Sequence, residues 1–230
     1  MQLNHQKPQK SDQRTDGALR LHSIWNTIQG EGIYAGWPAT FVRLAGCNLQ
    51  CPLCDTDYTS KDQLRSLTTL ASTIVPMSAY ASHRPDKPLI VITGGEPFRQ
   101  NILPLISELN RCGRRVQVET NGTLQMFKPI PYKIICSPKT PKIDKTAATA
   151  VDAWKYVLSA DSVSKEDGLP ESALGGGRPA RPTNNAPVYV QPLDEQDPEK
   201  NKRHTEAVVK SCMEHGYILC LQVHKFVGVE

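Results

Sequence analysis

With 230 residues the chain can bury one sizeable core, and its length gives no reason to posit two domains. A net charge of +4, from 27 basic and 23 acidic residues, is mild, and no basic block interleaved with aromatics stands out, which disfavours nucleic acid and leaves room for a small anionic substrate. No apolar run approaches the roughly 20 residues of a membrane span.

The start, Met1-Gln2-Leu3-Asn4-His5-Gln6-Lys7, has no apolar signal-peptide core, so the seven cysteines are expected reduced, in the cytoplasm. Residues 1–18 are rich in Gln, Lys, Asp and Arg with almost nothing to bury, and read as a disordered tail before a single domain over 19–230. The stretch 21–28 alternates weakly and ends at Gln29-Gly30-Glu31-Gly32. Two glycines there make either a turn that carries a carboxylate and an amide toward a ligand, or a hairpin with a solvated Glu. Residues 39–45 read as a buried strand interrupted by Arg43, a cation that must reach a carboxylate or project into an open mouth.

Further along, 62–74 carries Leu64, Leu67, Leu70 and Ile74 at helical spacing, with Pro76 ending the pattern, and 77–88 reads as a loop. Leu89-Ile90-Val91-Ile92-Thr93, between Pro88 and Gly94-Gly95, has the continuous apolarity of a strand buried on both faces. Asn101 is placed to cap a helix with Ile102, Leu105, Ile106 and Leu109 on one face and Gly113 just beyond its end. Residues 115–119, 132–136, 154–158 and 187–191 follow as strands. The last strand, 217–223, comes after a helix whose Ala207, Val208 and Cys212 face inward and which stops at Gly216. Residues 160–186, dense in Gly, Pro, Ser and charge, read as a flexible insertion, either disordered or a lid. Cys112, Cys136, Cys212 and Cys220 read as small buried apolar residues.

Strand, glycine turn, helix, strand is a βαβ unit, and its repetition gives an α/β domain of mostly parallel strands with outer helices. A closed eight-unit barrel usually takes about 250 residues, so a partial, TIM-like barrel is expected. Each polar motif stands at the end of its strand, where the loops of a parallel barrel converge over the active site.

The stretch Gly46-Cys47-Asn48-Leu49-Gln50-Cys51-Pro52-Leu53-Cys54-Asp55-Thr56 puts three thiols in one loop, spaced C-x3-C-x2-C. Structural zinc wants four ligands, and no fourth Cys or His follows at finger spacing, Cys112 being the next cysteine. A cubane iron–sulfur cluster on three cysteines leaves one iron open. A zinc completed by a distant residue is the alternative.

This loop resembles the signature of the radical S-adenosylmethionine (SAM) superfamily, and Thr93-Gly94-Gly95-Glu96-Pro97 resembles its second motif. Together with Ile28-Gln29-Gly30-Glu31-Gly32, Cys54-Asp55-Thr56, Glu119-Thr120-Asn121-Gly122, Ser137-Pro138-Lys139, Gln191-Pro192 and Gln222-Val223-His224-Lys225, the chain from about Ser23 onward resembles the 7-carboxy-7-deazaguanine synthase family. That resemblance implies a lyase that converts 6-carboxy-5,6,7,8-tetrahydropterin to 7-carboxy-7-deazaguanine with loss of ammonia, on the way to queuosine and related 7-deazapurines. It implies a 4Fe–4S cluster on Cys47, Cys51 and Cys54, and a magnesium ion on the Thr56 hydroxyl. SAM contacts are implied for Leu53, Cys54, Asp55, Gly95, Ser137, Pro138, Lys139, Gln191, Pro192, Leu193 and Asp194. The pterin is implied to meet Ile28, Gln29, Gly30, Glu31, Arg43, Thr93, His224 and the terminal carboxylate of Glu230, with Glu31 and Arg43 the catalytic pair and Arg43 on the substrate carboxylate. The reduced cluster would cleave SAM, and the 5′-deoxyadenosyl radical would take hydrogen from the pterin. A homodimer and an electron donor such as a flavodoxin are also implied.

Two other readings remain. A glycyl-radical activase shares the cysteine spacing but acts on a protein without magnesium, so the Gln29 loop, Thr56 and the closing segment count against it. A zinc-stapled binding module is the non-enzymatic alternative.

Overall fold

The computed structural model describes residues 4–52, 54, 56–81, 88–173 and 176–229. Strand β1 (Leu19–Ile28) pairs antiparallel with β2 (Pro38–Leu44) and with the short edge strand β3 (Gln63–Arg65). Then follow helix α1 (Leu67–Met77), β4 (Leu89–Gly94), α2 (Leu103–Arg111), β5 (Arg115–Thr120), β6 (Lys133–Cys136), the single turn α3 (Ala147–Ala150), β7 (Ala153–Leu158), β8 (Val188–Pro192), α4 (Pro198–His215), β9 (Ile218–Leu219) and α5 (Val223–Phe226). The sheet runs β3-β1-β2-β4-β5-β6-β7-β8-β9, parallel from β2 onward. It is the expected partial barrel of mostly parallel strands, with β3 and β9 at its two edges.

Alternation along the strands sorts the side chains into two environments. One face carries Val42, Leu44, Ile90, Ile92, Val116, Val118, Ile134, Trp154, Tyr156 and Val190, which pack with Leu70 and Ile74 of α1, Leu105, Ile106 and Leu109 of α2, and Val208 of α4 in the main core. Fully burying each such side chain contributes about 1.5–3 kcal/mol. The other face carries Phe41, Arg43, Thr93, Glu119, Ile135, Lys155, Val157 and Gln191, which line a cavity instead. As its unbroken apolarity predicted, β4 is buried on both faces, with Leu89 to Ile92 at most 1% exposed.

Several expectations change. The helix expected from residue 62 begins at Leu67, where Ser66 Oγ accepts the amide of Thr69 at 3.2 Å; Leu64 instead joins β3, and Pro76 lies inside the last turn. Asn101 does not cap α2. Its amide donates to the Arg14 carbonyl at 3.1 Å, Ile102 holds the cap position, and Pro104 removes one of the amides a cap would serve. The last strand stops at Leu219, and 223–226 is helical. Residues 4–18, expected as a disordered tail, lie against the cysteine loop and β4–α2 connection through bonds such as Gln9 N to Cys47 O at 2.7 Å and Asp12 N to Arg99 O at 2.7 Å. The segment from 160 to 186, expected to be flexible, is tied down in its described part. Asp167 accepts Arg181 at 2.7 Å, Tyr156 donates to the Ala180 carbonyl at 2.7 Å, and Trp154 donates to Asn184 at 2.8 Å. In both segments these contacts are polar hydrogen bonds and ion pairs rather than apolar burial.

Candidate active site

The cavity, about 530 Å³, occupies the inner face of the sheet. One end is the cysteine loop, delivered by the C-terminal end of β2. Gly95, at the end of β4, packs against it so closely that a Cβ would lie 2.2 Å from the Gly46 carbonyl oxygen, and Glu96 donates its amide to that same carbonyl at 3.1 Å. Only glycine permits this approach of backbone to backbone. Beneath the loop, the carboxyl of Glu96 is fully buried and accepts Asn121 N and Thr120 Oγ1, each at 2.8 Å, and Phe98 N at 3.0 Å. Burial pushes its pKa up to about 7 against those three donors. Asn121 also donates to Asn48 at 3.0 Å, and Asn48 to Thr123 at 2.8 Å, tying the loop to the end of β5.

Cys47 is buried, while Cys51 and Cys54 are half-buried and face the cavity. Burial pushes the Cys47 thiol up to about 12 and the Cys51 thiol upward as well, Lys139 partly offsetting the latter. Loading with metal must therefore expel protons. Among the described residues no three His, Cys, Asp or Glu side chains converge where a single ion could sit. Three cysteines on one loop are one donor short of the four that structural zinc takes, and match a cubane with one iron left open.

At mid-depth Arg43 stands with its guanidinium carbon 4.8 Å from the Trp25 ring centroid, its Nε buried without a hydrogen-bond partner among the described residues. Phe41 and Trp25, with centroids 5.2 Å apart, and Thr93, which pairs with Arg43 across the ladder, complete this wall.

The far end is ionic. Lys155, whose side chain is only 12% exposed, pairs with Glu31 and lies 3.9 Å from Glu119. Glu31 also accepts Gln222 at 2.9 Å, and Glu119 accepts Gln29 at 3.0 Å and Gln117 at 3.1 Å. Burial opposes the charge on Glu31, but the Lys155 ammonium, Gln222 and His224 hold its carboxyl well below the ordinary range. Burial likewise opposes the charge on Lys155, and the two glutamates raise it above its usual value. Both groups stay charged at neutral pH.

The path of β1 explains how Glu31 arrives. Because β1 is antiparallel to β2, Ile28 pairs with Pro38, and Ala39 pairs with Leu89 at the start of β4. The loop after β1 therefore leaves from the rim opposite the cysteines, which corrects the expectation that every motif gathers at one rim. It meets the chain after β9 instead. Val223 N donates to Gly30 O at 3.2 Å, Gly32 N to Cys220 Sγ at 3.4 Å, and His224 packs so tightly on Gly30 that a Cβ there would fall 1.8 Å from its Nδ1.

Of the expected site residues, Cys47, Cys51, Cys54, Thr56, Gly95, Ser137, Lys139, Gln191, Leu193 and Asp194 share the cavity with Ile28, Gln29, Glu31, Arg43, Thr93 and His224. Pro138 lines a smaller cleft beside Pro170 and Pro179, and Gly30 serves as the seat of His224. Pro192 ends β8, pairing with Leu158. Asp194 is engaged by Lys225, by Gln196 N and by Asn201, which hold its carboxyl at about 2. Leu53, Asp55 and Glu230 lie outside the described residues. Lys155, Glu119 and Gln222 were missed as site residues. The signal for Lys155 was available, since it interrupts an apolar strand just as Arg43 does.

No protein-family model matches the chain. The 7-carboxy-7-deazaguanine synthase of Rhodospirillum rubrum is 38% identical, over 96% of this chain and 97% of its own length. The chain belongs to the 7-carboxy-7-deazaguanine synthase family. The enzyme of that name from Rickettsia prowazekii is 37% identical, over 97% of this chain and 94% of its own. The crystal structure of QueE from Escherichia coli superposes with a TM-score of 0.65 at 20% identity, covering 89% of this chain and 94% of that one, and so shares the fold. Membership in the 7-carboxy-7-deazaguanine synthase family implies a 4Fe–4S cluster, SAM and a pterin substrate.

Proposed function

We propose that the chain is a carbon–nitrogen lyase that converts 6-carboxy-5,6,7,8-tetrahydropterin to 7-carboxy-7-deazaguanine and ammonia, supplying queuosine or a related 7-deazapurine. Family membership along nearly the whole chain supports the reaction. The observation that carries the substrate is Arg43, a guanidinium in the cavity wall with a buried, unbonded Nε. A carboxylate on the pterin satisfies its planar fork, whereas an uncharged ligand leaves a desolvated donor unpaired.

A 4Fe–4S cluster on Cys47, Cys51 and Cys54 would supply, at its open iron, the electron that cleaves SAM. Gly95, Ser137, Lys139, Gln191, Leu193 and Asp194 would line the SAM berth beside it, with Leu53, Cys54 and Asp55 of the cysteine loop and with Pro138 and Pro192 shaping the strand ends. The Thr56 hydroxyl is assigned to a magnesium ion, which favours oxygen ligands and keeps several from water or substrate. Glu31 and Glu119 offer acceptor oxygens to the amino and ring N–H donors of a pterin. Gln29 holds Glu119, while Gln222 and Lys155 hold Glu31. Ile28 and Thr93 would flank the ring. Seated on Gly30, His224 would close over it with Glu230. We further assign a flavodoxin-type electron donor and a homodimer from the family resemblance, and a cytoplasmic location from the reduced cysteines.

The test is anaerobic turnover with the carboxypterin, SAM, a low-potential reductant and magnesium, followed by mass spectrometry. The expected product is the deazaguanine acid. Formation of 5′-deoxyadenosine without it would overturn the substrate and leave the SAM chemistry standing.

A further inference from the structure

We propose that residues 4–12 are a positioning element for the cysteine loop, a strap that fixes the loop's backbone and covers the cluster site on the side away from the cavity. The proposal rests on the reading of Cys47, Cys51 and Cys54 as cluster ligands. Along the strap Asn4, Gln6, Gln9 and Asp12 are half-buried, while His5, Lys7, Pro8 and Lys10 are exposed. None of these residues lines the cavity.

The inward groups go to the loop's carbonyls. Asn4 donates its amide N–H to Pro52 O at 2.9 Å and its side-chain amide to Cys51 O at 3.0 Å, while Gln50 donates back to Asn4 O at 3.1 Å. Gln6 donates to Thr56 O at 2.8 Å and accepts Tyr58 N at 2.8 Å and the Thr59 hydroxyl at 3.0 Å. Gln9 N donates to Cys47 O at 2.7 Å. Arg99, 3% exposed, then clasps strap and loop together, donating to Lys10 O and to Ala45 O, each at 2.8 Å.

Carbonyls of two proposed cluster ligands, and of the proposed magnesium ligand, thus depend on the strap. In its described part, the stretch from Cys47 to Tyr58 has no helix or strand of its own. Its internal bonds among the described residues include Cys54 N to Cys51 O at 3.2 Å and Tyr58 Oη to Leu49 O at 3.3 Å. Irregular backbone of this kind is ordered only by what it bonds to. Losing the strap frees the thiolates to leave their corners one at a time and opens the covered side to chelator and oxidant.

The experiment compares the full chain, a chain lacking residues 2–10, and the variants Gln6→Ala and Gln6→Glu after anaerobic reconstitution. Iron and sulfide content, loss of cluster absorbance to a chelator, the electron paramagnetic resonance spectrum of the reduced cluster with and without SAM, and far-ultraviolet circular dichroism are recorded. The shortened chain is expected to lose iron roughly tenfold faster or more, and Gln6→Ala several-fold faster, with circular dichroism of the body unchanged. Gln6→Glu, which keeps the acceptor but not the donor to Thr56 O, is expected to fall between. Should the shortened chain not fold, the Gln6 pair carries the test alone. Equal rates of iron loss in the full chain and the variants overturn the strap and leave the cluster reading intact, whereas failure of the full chain itself to take up a cluster overturns both.

Discussion

Arg43, half-buried with its Nε enclosed, and Glu96, fully buried, meet their surroundings in opposite senses. The Arg43 guanidinium faces open volume with a donor unspent, and Glu96 has every oxygen occupied. Substituting Arg43→Lys keeps the charge and loses the fork, so kcat/KM is expected to fall roughly 10- to 100-fold, mostly through KM, in steady-state turnover. An unchanged KM would remove Arg43 from the substrate. For Glu96 the folded pKa of about 7 exceeds the ordinary value of 4.5, so the folded chain holds a proton that the unfolded chain has released. Stability from this group is full below the unfolded value and declines as pH rises through about 7. Glu96→Gln abolishes that titration and sets an amide against a backbone N–H. It should destabilise the metal-free protein at pH 5, and its deficit should shrink by on the order of 2–3 kcal/mol by pH 8 in urea titrations. A deficit independent of pH would show that Glu96 is ionised throughout.

Among the elements, the antiparallel direction of β1 and the short helix α5 matter most, because together they bring Glu31, Gln222 and His224 to the inner end of the cavity. Their meeting point is Gly30. The added methyl of Gly30→Ala overlaps the His224 ring and forces 222–229 outward. Turnover should drop between roughly 10- and 100-fold, with limited proteolysis accelerated near the C-terminus and the unfolding midpoint nearly unchanged. Normal kinetics in this variant would mean that His224 takes no part. The same alternation that hides Val42 and Trp154 in the main core turns Arg43 and Lys155 inward, so a charge inside an apolar strand marks the inner face. Applied to both strands, that signal finds both cations.

At the scale of the molecule, the main core lies between the outer helices and the sheet and includes none of Cys47, Cys51 and Cys54. Removing iron with a chelator is therefore expected to leave one cooperative unfolding transition, with faster hydrogen exchange confined to 46–58 and the segment packed on it. Loss of protection in β4 to β7 would show instead that the cluster organises the barrel.

The βαβ rhythm, the doubly buried β4 and the three-thiol loop were legible from the chain alone, because each is written by neighbours within a few residues: period-two alternation, helical spacing, glycine after a strand. Helix starts and the last strand were not, since Ser66 competes with the apolar spacing that precedes it, and the apolar run Ile218-Leu219-Cys220-Leu221 reads alike as strand or turn. What no local pattern carries is pairing over distance. Glu31 meets Lys155 across 124 positions of sequence, and Gln6 meets Thr56 across 50. Which carboxylate a buried lysine finds, which rim a loop leaves from, and which polar tail is held down depend on strand direction and register. Those are set only when the whole sheet has assembled and left particular donors and acceptors with nowhere else to go.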